Sequence, residues 1–285
     1  MKVVVVGGGI IGCATAYELA RAGCAVTLLE RATPGAEASG AAAGLLALLG
    51  ESSETAFARL ARASWRLYPD VVRELQERTG IDVEYVTRGT IYPMSASQTR
   101  RDAEVWAVNK ELGVEVVDGQ DVQALEPALS PKISHAIFVK GDHWLNNQRL
   151  VLAYAQAAVA AGVELHTACN VSRVVVEGGR ARAVVAEGER VEGDAVLLAA
   201  GAWTSELVRS LGMRLPVEPR RGQMIAFTHA PPVLTHCVHG EAYLVPPRGP
   251  PTACRSSARG PASRGSGSRP RTSATASCSP RSPRG

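Results

Sequence analysis

A chain of 285 residues, 46% of them hydrophobic and 20% charged, can bury a sizeable core in one or two domains. No apolar run approaches the roughly 18 residues that cross a bilayer, so no membrane-spanning helix is expected. The formal charge of +4 is no nucleic-acid footprint: residues 249–285 carry seven arginines and no lysine or acid, and the remainder nets −3.

The N-terminal apolar run breaks at Gly7 and continues into a glycine turn, so it reads as the start of a fold rather than a secretion signal. Six cysteines, at 13, 24, 169, 237, 254 and 278, show no C-x-x-C pairing and no metal-ligand spacing. Cys13 and Cys24 read as small buried residues rather than a bridge. A reducing cytoplasm and no metal centre are expected.

Lys2 to Val6 is a valine-rich strand. Gly7, Gly9 and Gly12 follow in the spacing G-x-G-x-x-G, and a helical pattern runs from Ile10 to Ala22. Gly23 can end that helix, and Ala25 to Leu29 is a second strand finishing on Glu30, 18 positions after Gly12. This is the strand, glycine turn, helix, strand, acid order of a dinucleotide fold. Gly7 permits the turn, Gly9 lets a pyrophosphate approach the backbone, and Gly12 lets the helix pack on the sheet. The helix end offers orphan N–H groups to phosphates, and Glu30 can accept ribose hydroxyls. Whether the nucleotide is NAD or FAD stays open on these residues.

Ala36 to Leu49 is rich in alanine and glycine, and Ser39 to Leu45 reads as a helix start packed against a partner that admits only small side chains. Glu54 to Gly80 is a long amphipathic helix expected on the sheet edge. Val83–Val86 and Gly89–Tyr92 read as a strand pair, Ser97–Leu112 as a helix, and Val114–Val117 as a strand. A short helix near Asp118–Leu125 and a strand at Ile137–Val139 precede a helix from Asn147 or Gln148 to Ala161. Val163–His166 is a strand, and Val171–Val176 with Ala181–Val185 form a hairpin. Ala195–Leu198 is a strand, Trp203–Leu211 a helix, and Val217–Phe227 and Ala242–Val245 are further strands. The order predicts an α/β protein of two intertwined domains.

Several of these segments together resemble the FAD-dependent amine and D-amino-acid oxidases, among them the glycine oxidases of thiamine biosynthesis. The segments are Val3 to Gly12, Leu28-Leu-Glu-Arg31, Glu37 to Leu45, Gly141 to Leu150, Ala199-Ala-Gly-Ala-Trp203, Pro216 to Gln223 and Tyr243-Leu-Val-Pro246. The resemblance implies a Rossmann-like FAD domain of the glutathione-reductase type, over 1–82 and 141–215. An intertwined mixed-sheet substrate domain would cover 83–140 and 216–248, incomplete at the C-terminus.

By position, the resemblance places Gly7, Gly9, Ile10, Ile11 and Gly12 on the FAD pyrophosphate and Glu30 on the ribose, with Arg31 beside it. Ala38 and Ser39 would meet the phosphate–ribityl part, and Ala43, Gly44 and Leu45 would lie along the isoalloxazine. Val171 would read the adenine through its backbone, Gly201 would give the cofactor room, and Tyr243 would help hold a substrate carboxylate. The implied reaction is oxidation of the C–N bond of glycine, sarcosine or a small D-amino acid to an imine. O₂ would be reduced to H₂O₂, with no nucleic-acid or membrane partner. His143, His236 and His239 read as structural, although His239 is near enough to Tyr243 in sequence to flank a pocket.

The resemblance ends near Arg248, and with it an expected arginine clamp and flavin loop, so weak or absent activity is expected of this chain. Residues 249–285 contain no Leu, Ile, Val, Met, Phe, Tyr or Trp in 37 positions and are expected to be disordered. Their composition is that of GC-rich DNA read out of frame. Shifted by one base, one choice of codons for Cys254–Arg259 reads Leu-Pro-Val-Val-Gly-Ser, and a frameshift near Pro246–Pro251 is the expected origin.

Overall fold

The computed structural model describes residues 1–48, 55–95, 112–227, 233–240, 242–246 and 254–258. Its first unit is strand β1 (Lys2–Val6), helix α1 (Ile10–Arg21) and strand β2 (Ala25–Leu29). Short pieces follow, α2 (Ala38–Ala41) and β3 (Leu45–Leu46), then the long helix α3 (Ala56–Thr79). Thr55 caps α3 by accepting the Ala58 N–H at 3.1 Å, and Gly80 ends it in the left-handed conformation. The middle of the chain supplies β4 (Thr90–Pro93), β5 (Val114–Asp118), α4 (Gln120–Leu125), β6 (His135–Val139) and β7 (His143–Trp144). Helix α5 (Asn147–Ala160), capped by the Asn146 side chain, leads to β8 (Glu164–His166) and the meander β9 (Val171–Glu177), β10 (Arg180–Ala186) and β11 (Glu189–Glu192). Strand β12 (Ala195–Leu198) and α6 (Thr204–Arg209) come next, then β13 (Gln223–Phe227), β14 (Cys237–His239), β15 (Ala242–Val245) and β16 (Cys254–Ala258).

Two sheets organise the molecule. A parallel sheet runs β12-β1-β2-β8, and a mixed seven-stranded sheet runs β13-β16-β15-β14-β4-β6-β5. The valine run of β1 is apolar at four successive positions because both of its faces are covered. Val3 and Val5 face α1, α3 and α5, while Val4 and Val6 face the meander and α6. Each fully buried Val or Leu there contributes about 1.5–3 kcal/mol. A two-stranded ladder, Leu45 opposite Trp144 and Leu46 opposite His143, lies at the junction of the two sheets.

The structure corrects several expectations. Val83 to Tyr92 is no hairpin: Glu84 takes a positive φ of 57°, and Val86 makes a lone bridge to Trp144 instead. Helix α3 packs on α5, not on a sheet edge, because Val72 and Leu75 join the core that α1 and α5 share. Val217 to Gly222 is not strand, and β14, too short for a period-2 signal, was not expected. The helix expected at 97–112 lies outside the described residues except for Leu112. Residues 254–258, expected to be disordered, form β16 between β13 and β15. Its backbone completes two ladders, and ladder pairing does not require apolar side chains.

Candidate functional site

The turn from β1 into α1 is built around absent side chains. Gly7 has φ +109°, and a Cβ there would lie 2.5 Å from the Ala199 carbonyl oxygen of the neighbouring strand end. A Cβ on Gly12 would lie 1.8 Å from the Gly7 oxygen, so the helix sits directly on the turn. The first turn of α1 keeps orphan N–H groups at its end, and Ser39 Oγ accepts that of Ile10 at 3.0 Å. Glu30 is buried at the end of β2, where Oε2 accepts the Gly8 N–H at 2.6 Å and Oε1 the Ala32 N–H at 2.8 Å. These two bonds fix the carboxylate against the glycine turn.

A cavity of about 970 Å³ opens over this turn. Gly7, Gly9, Ile10 and Ile11 line it beside Glu30 and Arg31 at the end of β2. Ala38 and Ser39 form one wall, Val171 and Gly201 the other. Gly12 lies beneath the turn and does not line it. The sequence reading missed Trp203, Asn170, Arg220 and Arg221, which also line the cavity. The Arg31 guanidinium stacks over the Trp203 ring at 3.7 Å and pairs with Glu37, tying the two walls together. An arginine directly after the acid and a tryptophan after Gly201 were visible signals, but nothing in the sequence put them face to face.

Ala43, Gly44, Leu45 and Tyr243 do not line this cavity. They meet at the sheet junction, where Ala43, Leu45 and Tyr243 join Trp144, Met224 and Cys237 in one apolar cluster. Gly44 allows a close approach there: a Cβ would lie 1.9 Å from the Leu145 oxygen. The N-terminal side chains of α5 hold this segment from behind, Asn147 donating to the Ser39 carbonyl and Gln148 to that of Gly40 at 3.1 Å. One continuous stretch, 38–45, therefore runs from the cavity wall to the cluster containing Tyr243.

A family model described as FAD dependent oxidoreductase (DAO) matches residues 2–272. The chain belongs to this family. Glycine oxidase of Pseudomonas aeruginosa is 36% identical over 250 residues, covering 87% of this chain and 68% of that protein. Glycine oxidase of Geobacillus kaustophilus is 31% identical over 255 residues, covering 87% and 67%. The crystal structure of glycine oxidase from Geobacillus kaustophilus superposes with a TM-score of 0.83 at 29% identity, covering 93% of this chain and 73% of that one. The chain is thus an FAD-dependent oxidoreductase of glycine oxidase type.

The residues present fit the family's cofactor. A glycine cradle that any Cβ would fill, a helix end offering N–H groups and a fixed carboxylate suit a dinucleotide. Among the described residues no group of three or more His, Cys, Asp or Glu could hold a metal ion, and Cys13, Cys24, Cys169 and Cys237 are not joined in disulfides. Burial pushes the Cys13 thiol up to about 12, which keeps it protonated and inert under the turn. Burial likewise lowers the His143 imidazole below its usual range and holds it neutral, stacked on Trp65 and bonded to the Tyr85 hydroxyl at 2.5 Å. No helix is long and apolar enough to cross a membrane among the described residues.

Proposed function

We propose that the chain holds FAD across the cavity and the sheet junction and oxidises the C–N bond of a small amino acid such as glycine, sarcosine or D-alanine. Bound FAD supplies the two-electron oxidant, with O₂ as the final acceptor and peroxide as its product. In this reading the α1 end and Gly9 take the pyrophosphate, Glu30 the ribose, and Arg31, Val171 and Gly201 surround the adenosine end. Gly7 and Gly12 shape the turn, Ile11 offers a backbone N–H group, and the Ile10 N–H ties the helix end to Ser39. Ala38 and Ser39 follow the ribityl chain, and the backbone of Ala43, Gly44 and Leu45 lies along the ring. Residues 1–82 and 141–215 would form the cofactor part, with 83–140 and 216–248 as the substrate part.

The observation that carries this reading is the single path of residues 38–45, from the Ser39 wall of the cavity to the cluster where Ala43 and Leu45 meet Tyr243. Tyr243 orients the substrate, donating its hydroxyl to a carboxylate, and the apolar wall of Leu45, Met224 and Trp144 excludes water around the Cα. None of these steps needs a side-chain nucleophile. Cysteines not joined in disulfides at 13, 24, 169 and 237 fit a cytoplasmic setting.

The test is direct. The purified full chain is expected to carry a bound-flavin absorbance spectrum and to release peroxide only slowly with glycine, sarcosine or D-alanine, because the resemblance ends before the expected arginine clamp and flavin loop. A chain that takes up no FAD at saturating concentration overturns the reading. Uptake of FAD without peroxide supports the flavin site and removes the oxidase assignment from this chain.

A further inference from the structure

Asp142 stands at the junction between β6 and β7 and is wholly buried. Its backbone is held on both sides: its carbonyl accepts the Gly89 N–H at 3.1 Å, and its own N–H donates to Val139 at 3.4 Å. The Tyr92 hydroxyl, buried on β4, donates to Asp142 Oδ2 at 2.7 Å. From there a line of rings leads away. The Tyr92 ring packs on His239 with centroids 5.1 Å apart, and His239 meets the Tyr243 ring edge-on at 5.6 Å. His239 and Tyr243 are also register partners across β14 and β15, so backbone and ring contacts place them together. At the other end, Thr90 and the backbone of Leu48 lie beside the carboxylate. Leu48 is three residues beyond Leu45, so the same carboxylate borders the segment proposed to cover the flavin.

We propose that Asp142 is a positioning residue for Tyr243, acting through Tyr92 and His239, and that it sets where the Tyr243 hydroxyl meets a small carboxylate ligand. The inference rests on the reading of Tyr243 as a substrate-facing residue. Burial and the neighbouring Asp142 carboxylate hold the Tyr92 phenol far above its ordinary range, so it remains a donor at every working pH. A permanent donor on a fixed buried acceptor locks the ring about its own axis and along the strand. His239 is packed against that ring, and Tyr243 against His239. Releasing the Tyr92 hydroxyl frees the first ring and shifts the two that follow.

Acetate is the probe, titrated into the FAD-loaded full chain and read through perturbation of the flavin absorbance band, which requires no turnover. Tyr243→Phe is expected to weaken acetate binding. Tyr92→Phe, which removes one oxygen and keeps the ring, and Asp142→Ala are each expected to weaken it roughly three- to tenfold, the range of one lost hydrogen bond. Asp142→Asn keeps an acceptor for the Tyr92 hydroxyl and is expected to stay within about twofold of the parent. Flavin content should be equal in all four variants, which separates positioning from a general loss of structure. If Tyr243→Phe binds acetate as the parent does, the substrate reading of Tyr243 fails and the positioning role falls with it. If Tyr243→Phe binds weakly while Tyr92→Phe binds normally, only the positioning proposal is overturned. Equal losses in Asp142→Asn and Asp142→Ala overturn it as well, because charge and not the hydrogen bond would then be the cause.

Discussion

Glu30 and Asp142 are both buried acids, and their surroundings separate them. Glu30 accepts two backbone N–H groups that hold it in place for an incoming ligand. Asp142 sits where desolvation outweighs the help of Tyr92, Thr90 and the Leu48 backbone, and its carboxyl is raised from 3.8 to about 6. Because the folded chain keeps this proton to higher pH than the unfolded chain does, stability associated with Asp142 is present below about pH 4. It is lost as the pH rises through about 6. A rise of that size corresponds to about 3 kcal/mol. Asp142→Asn does not titrate, so relative to the parent it is expected to be about 3 kcal/mol more stable at pH 7 than at pH 4. Urea unfolding of both proteins across that range measures the difference, and parallel pH curves would show that burial of Asp142 costs nothing.

Elements that the sequence leaves unconnected are joined by single side chains. Glu126, at the end of α4 and 1% exposed, accepts through Oε2 from the Thr235 N–H, the Thr235 hydroxyl and the His236 N–H, each at 2.9 Å. This clamp spans 109 residues and delivers the chain into β14, which then pairs parallel to β4. Glu126→Ala leaves several buried donors without their acceptor and is expected to cost about 1–3 kcal/mol. Hydrogen exchange should rise at Cys237–His239 and Ala242–Val245 while β1 and β2 stay protected. Uniform exchange across both sheets would show that the clamp is not local to β14. The helices and long strands of the parallel sheet were legible because their periodicity is intrinsic. β14 was not, because three residues carry no period and their place depends on Glu126.

At the scale of the whole molecule, the cofactor site draws on six separated segments: the β1–α1 turn, the end of β2, residues 38–45, the start of β9, the turn after β12 and residues 219–221. Binding FAD would couple them. At about a hundredfold excess over Kd, FAD is expected to add about 2.7 kcal/mol and raise the melting temperature by several degrees. Gly12→Ala, whose methyl group would collide with the Gly7 oxygen, is expected to cost about 1–3 kcal/mol and to abolish that shift. A thermal melt with and without FAD, for parent and variant, checks both. A parent melt unmoved by FAD would mean that the six segments do not act as one site.

The sequence by itself determined the nucleotide unit, the family and most of the parallel sheet, because G-x-G-x-x-G, Glu30 and the valine run are local features whose chemistry needs no distant partner. It also named Ala43, Leu45 and Tyr243 without showing that they meet. Only the tertiary structure decided that meeting, the Arg31–Trp203 stack, the Asp142–Tyr92–His239 line and the strand at 254–258. Each of these joins residues far apart in the chain. Their side chains acquire a role from what the fold sets beside them, and pattern and composition carry no record of that.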